Sequence, residues 1–429
     1  MKRVLFLQGP LGTFFKKTAQ YLHAQNHETF KINFNGGDSC FAWAKQVDEF
    51  TGKPEQWSTY LIEYIDKYKI DKIIVYGDCR FYHQEAAKVA KQLDIDFWVC
   101  EEGYLRAGFV TFEQGGCNAN SLLDRSQQAI TTTNEQPIIS DQQVGNTFLY
   151  RSIVASYYYW QVRQNTKRFP HYQHHRPWVW WQEALFWFGN FKQKFISEVI
   201  DPIALKPFTK KYHKQYFLLP LQVEIDFQMR QHSRFNSVKE SIRFTLESFA
   251  QNARKDDALL IKHHPQARGF AHYGKFIKTL CKELAITERV LYVHQANLPS
   301  IYRSCKGVVT VNSTVGLSAV LHALPTITLG KAIYDLPGLT FQGDLTDFWQ
   351  SDFQVNEEFF HQYQGYLQDK TQTQGDFYKP SEKFLSRIAK KIMMEDTTQK
   401  TSEKFTDTTV VTNTPNQLMV EYSKRSFAS

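Results

Sequence analysis

Leu259-Leu260-Ile261-Lys262-His263-His264-Pro265 decides how this chain is read. An apolar run ends abruptly in a cation, two imidazoles and a proline. That pattern fits a buried parallel strand whose carboxyl end opens onto a crevice, the place where open α/β sheets bind ligands. Pro265 cannot continue a ladder, so the strand stops with Lys262, His263 and His264 at its rim. Downstream, Gly307-Val308-Val309-Thr310-Val311-Asn312-Ser313-Thr314-Val315-Gly316 repeats the device, a strand feeding small polar residues into a turn and then a helix. Two such strand ends, one cationic and one offering the hydroxyls of Ser313 and Thr314 beside Asn312, make a site for a phosphate.

Working outward, the strand Gln215–Pro220 runs into Leu221-Gln222-Val223-Glu224-Ile225-Asp226, and helices are expected at 237–252, 273–284 and 315–323. The amino-terminal half has the same rhythm. Val4–Leu7 is a strand, and Gln8-Gly9-Pro10-Leu11-Gly12 turns it into a helix; Gly9 there serves either a tight turn or a ligand contact. Strands follow at 29–34, 71–76 and 96–100, with helices at 56–68 and 82–93 between them. Their ends carry Asn35-Gly36-Gly37-Asp38, then Gly77-Asp78-Cys79-Arg80, then Glu101-Glu102-Gly103-Tyr104-Leu105-Arg106. Alternating strands and helices with charged strand ends predict an α/β protein of GT-B type, two Rossmann-like domains facing a central cleft. The expected units are an amino-terminal domain over 1–145, a helical aromatic and basic insertion over 146–212, a carboxyl-terminal domain over 213–345, helices packing back over 346–394 and a poorly ordered tail over 395–429.

Composition narrows the partners. The net charge of +8 and a pI near 8.9 favour anionic ones. The six cysteines are scattered without a C-x-x-C pair and read as reduced, buried thiols, and no apolar run is long enough to span a bilayer. The amino terminus reads as a strand rather than a signal peptide, so a cytoplasmic location is expected. Tyr157-Tyr158-Tyr159-Trp160, Trp178-Val179-Trp180-Trp181 and Phe186-Trp187-Phe188 are interleaved with Lys167, Arg168 and Arg176. They fit either a helical hairpin with its rings in the core or a segment at lipid headgroup level; nucleic acid is set aside. No metal site is expected: Pro170 and Pro177 bracket His171 and His175, and Asp94-Ile95-Asp96 reads as a solvated turn away from the crevice.

The paired carboxylates Glu101 and Glu102 suit acid/base chemistry, since like charges placed together raise at least one pKa. The competing reading is a helix amino terminus decorated with acids. The Glu101-Glu102-Gly103, His264-Pro265 and Ser313-Thr314 groups resemble motifs of CMP-sugar transferases. Together with Gly77–Arg80, Leu221–Asp226, Lys262–Pro265 and Val311–Ser318, they resemble the capsule polysaccharide biosynthesis family over roughly residues 1–345, and within it the KpsS/LipB branch.

That resemblance implies a retaining β-Kdo transferase using CMP-β-Kdo, metal-independent and without a cofactor. It implies a phosphatidylglycerol-type lipid acceptor at the inner membrane surface and other capsule assembly proteins as partners. Asp226 would be the nucleophile and Glu101 or Glu102 the acid/base, while Arg80 and Arg106 are offered for the Kdo carboxylate, each with an ion pair to Asp78 or Glu102 as its alternative. Lys262, His263, His264, Asn312, Ser313 and Thr314 would grip the donor, with Gly9 and Gly103 beside it. Two other readings stay open: an inverting CMP-sialic-acid transferase, and a non-catalytic assembly or export factor.

Overall fold

The computed structural model describes residues 1–105, 108–133, 135–138, 148–174, 180–223, 233–269 and 271–393, with the side chains of 148 and 180–188 outside the description. In chain order the first unit runs β1 (Arg3–Phe6), α1 (Phe14–Ala24), β2 (Glu28–Asn33), α2 (Gly36–Cys40), β3 (Gln46–Glu49), α3 (Trp57–Tyr68), β4 (Lys72–Tyr76), α4 (Phe81–Gln92), β5 (Asp96–Glu102), β6 (Phe109–Gln114) and the short α5 (Gln127–Thr131). Strands β3-β2-β1-β4-β5 lie side by side and all parallel. Central strand β1 is covered on both faces, which is why Val4, Leu5 and Phe6 are all apolar and all buried. Burying each such side chain contributes about 1.5–3 kcal/mol.

Two helices then lead to the second unit. They are α6 (Phe148–Gln164) and α7 (Trp180–Lys211). The second sheet is built from β7 (Tyr216–Pro220), α8 (Val238–Asn252), β8 (Ala258–Lys262), α9 (Gly274–Glu283), β9 (Val290–Val293), α10 (Leu298–Ser304), β10 (Gly307–Thr310), α11 (Thr314–Leu321) and β11 (Thr326–Thr328). Its order, β11-β10-β7-β8-β9, is parallel throughout and repeats that of the first sheet. Each sheet thus reverses direction of winding beside its first strand, between β1 and β4 and between β7 and β10. The carboxyl ends at such a switch point form a crevice. The two doubly wound units give the GT-B architecture expected.

The chain then returns to the first unit. After α12 (Leu345–Phe348) and α13 (Glu357–Thr371), β12 (Gln372–Gln374) pairs antiparallel with β6, and α14 (Glu382–Met393) packs on α1 through Phe384, Ile388 and Ile392. Three strands escaped the sequence reading. β3 and β12 are too short to show a period, and β6 returns antiparallel where another crossover helix was the natural expectation. β6 also decides between the two readings of Glu101-Glu102: the pair closes β5 and enters a hairpin, so no helix begins there. All six cysteines are unpaired, and five are buried. Among the described residues no helix is long and apolar enough to cross a membrane.

The insertion is part core and part surface. Tyr158 and Val154 are buried, whereas Tyr157 and Trp160 are exposed. The Tyr158 hydroxyl donates to Asp38 Oδ1 at 2.8 Å, and a Cβ on Gly37 would sit 2.6 Å from the Tyr158 ring. Asn35-Gly36-Gly37-Asp38 is therefore the seat for α6. Trp178 and Val179 lie outside the described residues, as does His175 of the H-x-x-x-H pair.

Candidate active site

A cavity of about 280 Å³ lies between the two sheets. Glu101, Glu102, Tyr104 and Asn118 line it from the first unit; Gln222, Val223, His264, Asn312, Ser313, Thr314, Lys331 and Tyr334 line it from the second. Its second wall is the switch point of the second sheet. There the Gln222 and Asn312 side chains close the crevice floor, Gln222 Nε2 donating to Asn312 Oδ1 at 2.8 Å and Asn312 N donating back to Gln222 Oε1 at 3.2 Å.

Ser313 caps α11: its Oγ accepts the Val315 N–H at 3.2 Å. A hydroxyl that caps with a lone pair keeps its proton for donation, and the helix end adds a favourable field for an anion. His264 Nδ1 accepts the Gln266 N–H at 3.2 Å, which puts the proton of the neutral ring on Nε2, the donor an anionic oxygen needs. Lys331 supplies a cation that the sequence reading missed; it stands three residues beyond β11, where no polar motif drew notice.

The other rim residues separate. His263 has no exposed surface; its Nδ1 meets the Tyr292 hydroxyl at 2.7 Å, its ring lies 4.4 Å from that of His294, and burial pushes its pKa down to about 3. It is a core residue, not a cavity residue. Neighbouring side chains at a strand end point to opposite faces, so only one of two adjacent histidines can face the crevice. Lys262 is half-buried and does not line the cavity; desolvation, with Arg268 nearby, lowers its pKa to about 8.

On the first unit, Glu101 and Glu102 differ in setting. Asn118 Nδ2 donates to Glu101 Oε2 at 2.5 Å. Asn118 is itself held, since its N–H donates to the Tyr104 hydroxyl at 2.5 Å, and that hydroxyl donates to Glu113 at 2.5 Å. Glu113 is buried, also accepts from Ser121, and has its pKa raised to about 7 by desolvation. Glu102 instead faces Arg151 at 3.5 Å and is half exposed. Asn118 sits in the left-handed region at φ 54°, consistent with a residue fixed for its side chain. Neither Asn118 nor Glu113 carried a signal in the sequence, because the network closes only when β6 folds back on β5.

Asp78, Glu101 and Cys117 also come together, close enough for three ligand atoms to meet one ion. Their atoms are otherwise engaged. Asp78 accepts from the Cys117 N–H and Asn120 Nδ2, both at 3.1 Å, and from the Cys79 thiol, while burial holds the Cys117 thiol well above its ordinary pKa. The arrangement is a hydrogen-bonded cluster rather than a set of open donors. Asp96 of the D-x-D pair is no merely solvated turn residue: it bonds buried Lys72 at the far end of the sheet.

The remaining site residues fall elsewhere. Arg80 Nη1 donates to Gln8 Oε1 at 2.8 Å, away from the cavity lining, so among the described residues it meets neither the cavity nor the carboxylates of Asp78 and Glu102 offered as its alternative partners. Gly9 and Gly103 have packing reasons. A Cβ on Gly9 would lie 2.7 Å from the Phe15 ring, and one on Gly103 2.3 Å from the Phe109 carbonyl oxygen. Asp226 and Arg106 lie outside the described residues, although Val223, three residues before Asp226, lines the cavity.

Two doubly wound units with one polar cavity between their strand ends define a GT-B-type protein. The profile of the capsule polysaccharide biosynthesis protein family matches residues 71–378. The chain is 37% identical over 377 residues to the capsule polysaccharide export protein KpsS of Escherichia coli, covering 88% of this chain and 97% of that one. It is 36% identical over 387 residues to the capsule polysaccharide modification protein LipB of Neisseria meningitidis serogroup A, covering 88% and 92%. This chain belongs to the capsule polysaccharide biosynthesis protein family, in its KpsS/LipB branch. Among solved structures, the Thermosulfurimonas dismutans KpsC, a beta Kdo 2,7 transferase, matches with a TM-score of 0.42 and 14% identity over 84% of this chain and 89% of that one, a likeness too distant to bear on activity.

Proposed function

We propose that this protein is a retaining β-Kdo transferase that moves Kdo from CMP-β-Kdo to a phosphatidylglycerol-type lipid, beginning the poly-Kdo linker of a capsular polysaccharide. The observation that carries the reading is the division of labour across one cavity: carboxylates on the first wall, and a histidine donor, a capped helix end and Lys331 on the second. That wall suits a nucleotide phosphate, and the carboxylates suit proton transfer to and from an acceptor hydroxyl. A pure export factor has no need of this pairing.

In the first step a carboxylate oxygen of Asp226 attacks the anomeric carbon, and the bond to cytidylate breaks with its electron pair leaving on the phosphate oxygen. His264 Nε2–H, the Ser313 hydroxyl and Lys331 stabilise that departing charge, so the leaving group needs no proton. In the second step the acceptor hydroxyl attacks the same carbon and displaces Asp226, while Glu101 takes the hydroxyl proton. Two inversions give net retention. We assign this base role to Glu101 over Glu102 because Asn118, Tyr104 and Glu113 hold Glu101 in one orientation.

The test is to incubate purified protein with CMP-β-Kdo and a phosphatidylglycerol acceptor, then follow CMP release and the anomeric configuration of the product by NMR. Release with retained configuration is expected. An inverted product points to the sialyltransferase-like alternative, and no release with any acceptor leaves a binding role. His264→Ala is expected to weaken donor binding by about 1.5–3 kcal/mol, roughly ten- to a hundredfold in Kd, the worth of one hydrogen bond to a charged group. Calorimetric titration with CMP measures it directly.

A further inference from the structure

We infer that the outward faces of α6 and α7 dock this protein on an anionic lipid bilayer. On α7, Ser197 and Asp201 face inward, Asp201 accepting the backbone N–H groups of His294 and Gln295 at 2.8 and 2.6 Å. The opposite side carries Phe195, Val199 and Ile203 at four-residue spacing, exposed to 66–72%, with Phe191, Ile196 and Ile200 beside them. On α6, Val154 and Tyr158 are buried against the first unit, while Leu149, Ile153, Tyr157 and Trp160 form an exposed stripe. So many large apolar side chains on two helices exceed the scattered exposure normal for a soluble surface.

Charge identifies the occupant. Residues 148–211 hold ten Lys and Arg against three Asp and Glu, so this segment carries +7 of the chain's +8. A second copy of the same surface would bring two such charges together, which opposes self-association. Six of the ten exposed side chains, Leu149, Ile153, Ile196, Val199, Ile200 and Ile203, are aliphatic and offer nothing for bases to stack on, whereas a bilayer takes aliphatic and aromatic groups alike. An apolar face framed by Lys192, Lys194 and Lys206, on helices that cannot span a bilayer, is the pattern of a helix lying in an anionic interface.

The surface also adjoins the cavity. Arg151 of α6 reaches Glu102 at 3.5 Å and lies 4.3 Å from the centre of the Tyr378 ring. If the transferase reading above holds, a lipid headgroup could meet the carboxylates from the bilayer beside α6.

Flotation of the full chain with vesicles of phosphatidylcholine alone, or of phosphatidylcholine with phosphatidylglycerol, tests the docking. Binding to the anionic vesicles, weakened by salt, is expected. The triple replacement Phe195→Ser, Val199→Ser and Ile203→Ser should lower partitioning at least about tenfold while leaving the circular dichroism spectrum unchanged. Wild-type protein that stays in solution with both vesicles, or a triple variant that floats like wild type, overturns the inference. So does a wild-type dimer in light scattering that the variant dissociates. CMP release with a detergent-dispersed acceptor separates the two claims. Lost docking with release intact leaves the transferase standing, and docking without release leaves only the membrane surface.

Discussion

Glu101→Gln is expected to slow transfer by about 10²–10⁴-fold, the usual contribution of a positioned general base, while CMP affinity stays within about twofold. Glutamine has the same shape and can still accept from Asn118 Nδ2, so the hairpin that carries it should survive. Glu102→Gln provides the contrast. Its carboxylate faces Arg151 at the edge of the cavity and is half exposed, so less than about a tenfold loss is expected. Product formation and CMP binding, measured on both variants, check the assignment. A full loss in Glu102→Gln with Glu101→Gln active would exchange the two roles.

The second large effect is on stability in mild acid. Burial pushes the pKa values of His83 and His263 down to about 3, and neither ring has exposed surface. Above pH 6.5 these rings are neutral in both the folded and the unfolded chain, and stability is unaffected. As pH falls below 6.5 the unfolded chain takes up protons that the folded one refuses. Each ring then removes about 1.4 kcal/mol of stability per pH unit. Partly exposed His294, lowered to about 4, adds to this with less weight. Glu113 works the other way: with a folded pKa near 7, it binds a proton in the folded chain before the unfolded one does, and offsets roughly one histidine between pH 7 and 4.5. The net expectation is a loss on the order of 3 kcal/mol between pH 6.5 and 4.5, a large share of a typical folding free energy. Urea unfolding across that range should show it. His83→Gln, which can still donate to the Gly77 carbonyl, should flatten the slope, and Glu113→Gln should steepen it. A midpoint constant from pH 7 to 5 contradicts this account.

Sequence reading went furthest where chemistry is local to a strand end. Lys262–Pro265 and Asn312–Thr314 were legible because a run of apolar residues followed by polar ones marks the rim of a parallel sheet, and His264, Ser313 and Thr314 do meet in one cavity with Glu101 and Glu102. What stayed hidden depends on contacts between distant residues. Gln372 lies 268 positions from Tyr104, whose N–H donates to its side chain, and no local pattern announces that β12 returns to cover β6. Asn118 and Glu113 belong to the same class, since the spacing of one acid and one amide on a hairpin says nothing until the hairpin exists. The two histidines show a different limit. Alternation along a strand says that His263 and His264 face opposite ways, but not which of them faces the ligand. The aromatic insertion could not be read as one thing because it is two: Tyr158 is a core residue and Trp160, two positions on, is a surface one.

Intact-mass analysis of the protein after incubation with CMP-β-Kdo tests the central proposal most directly. In the Glu101→Gln variant the second displacement is slowed, so the covalent intermediate should accumulate. The expected result is a protein heavier by one Kdo residue, with peptide mapping placing it on Asp226, and no such species in Asp226→Ala. Protein that releases CMP to an acceptor yet never carries Kdo, or carries it on a residue other than Asp226, would contradict the double-displacement mechanism.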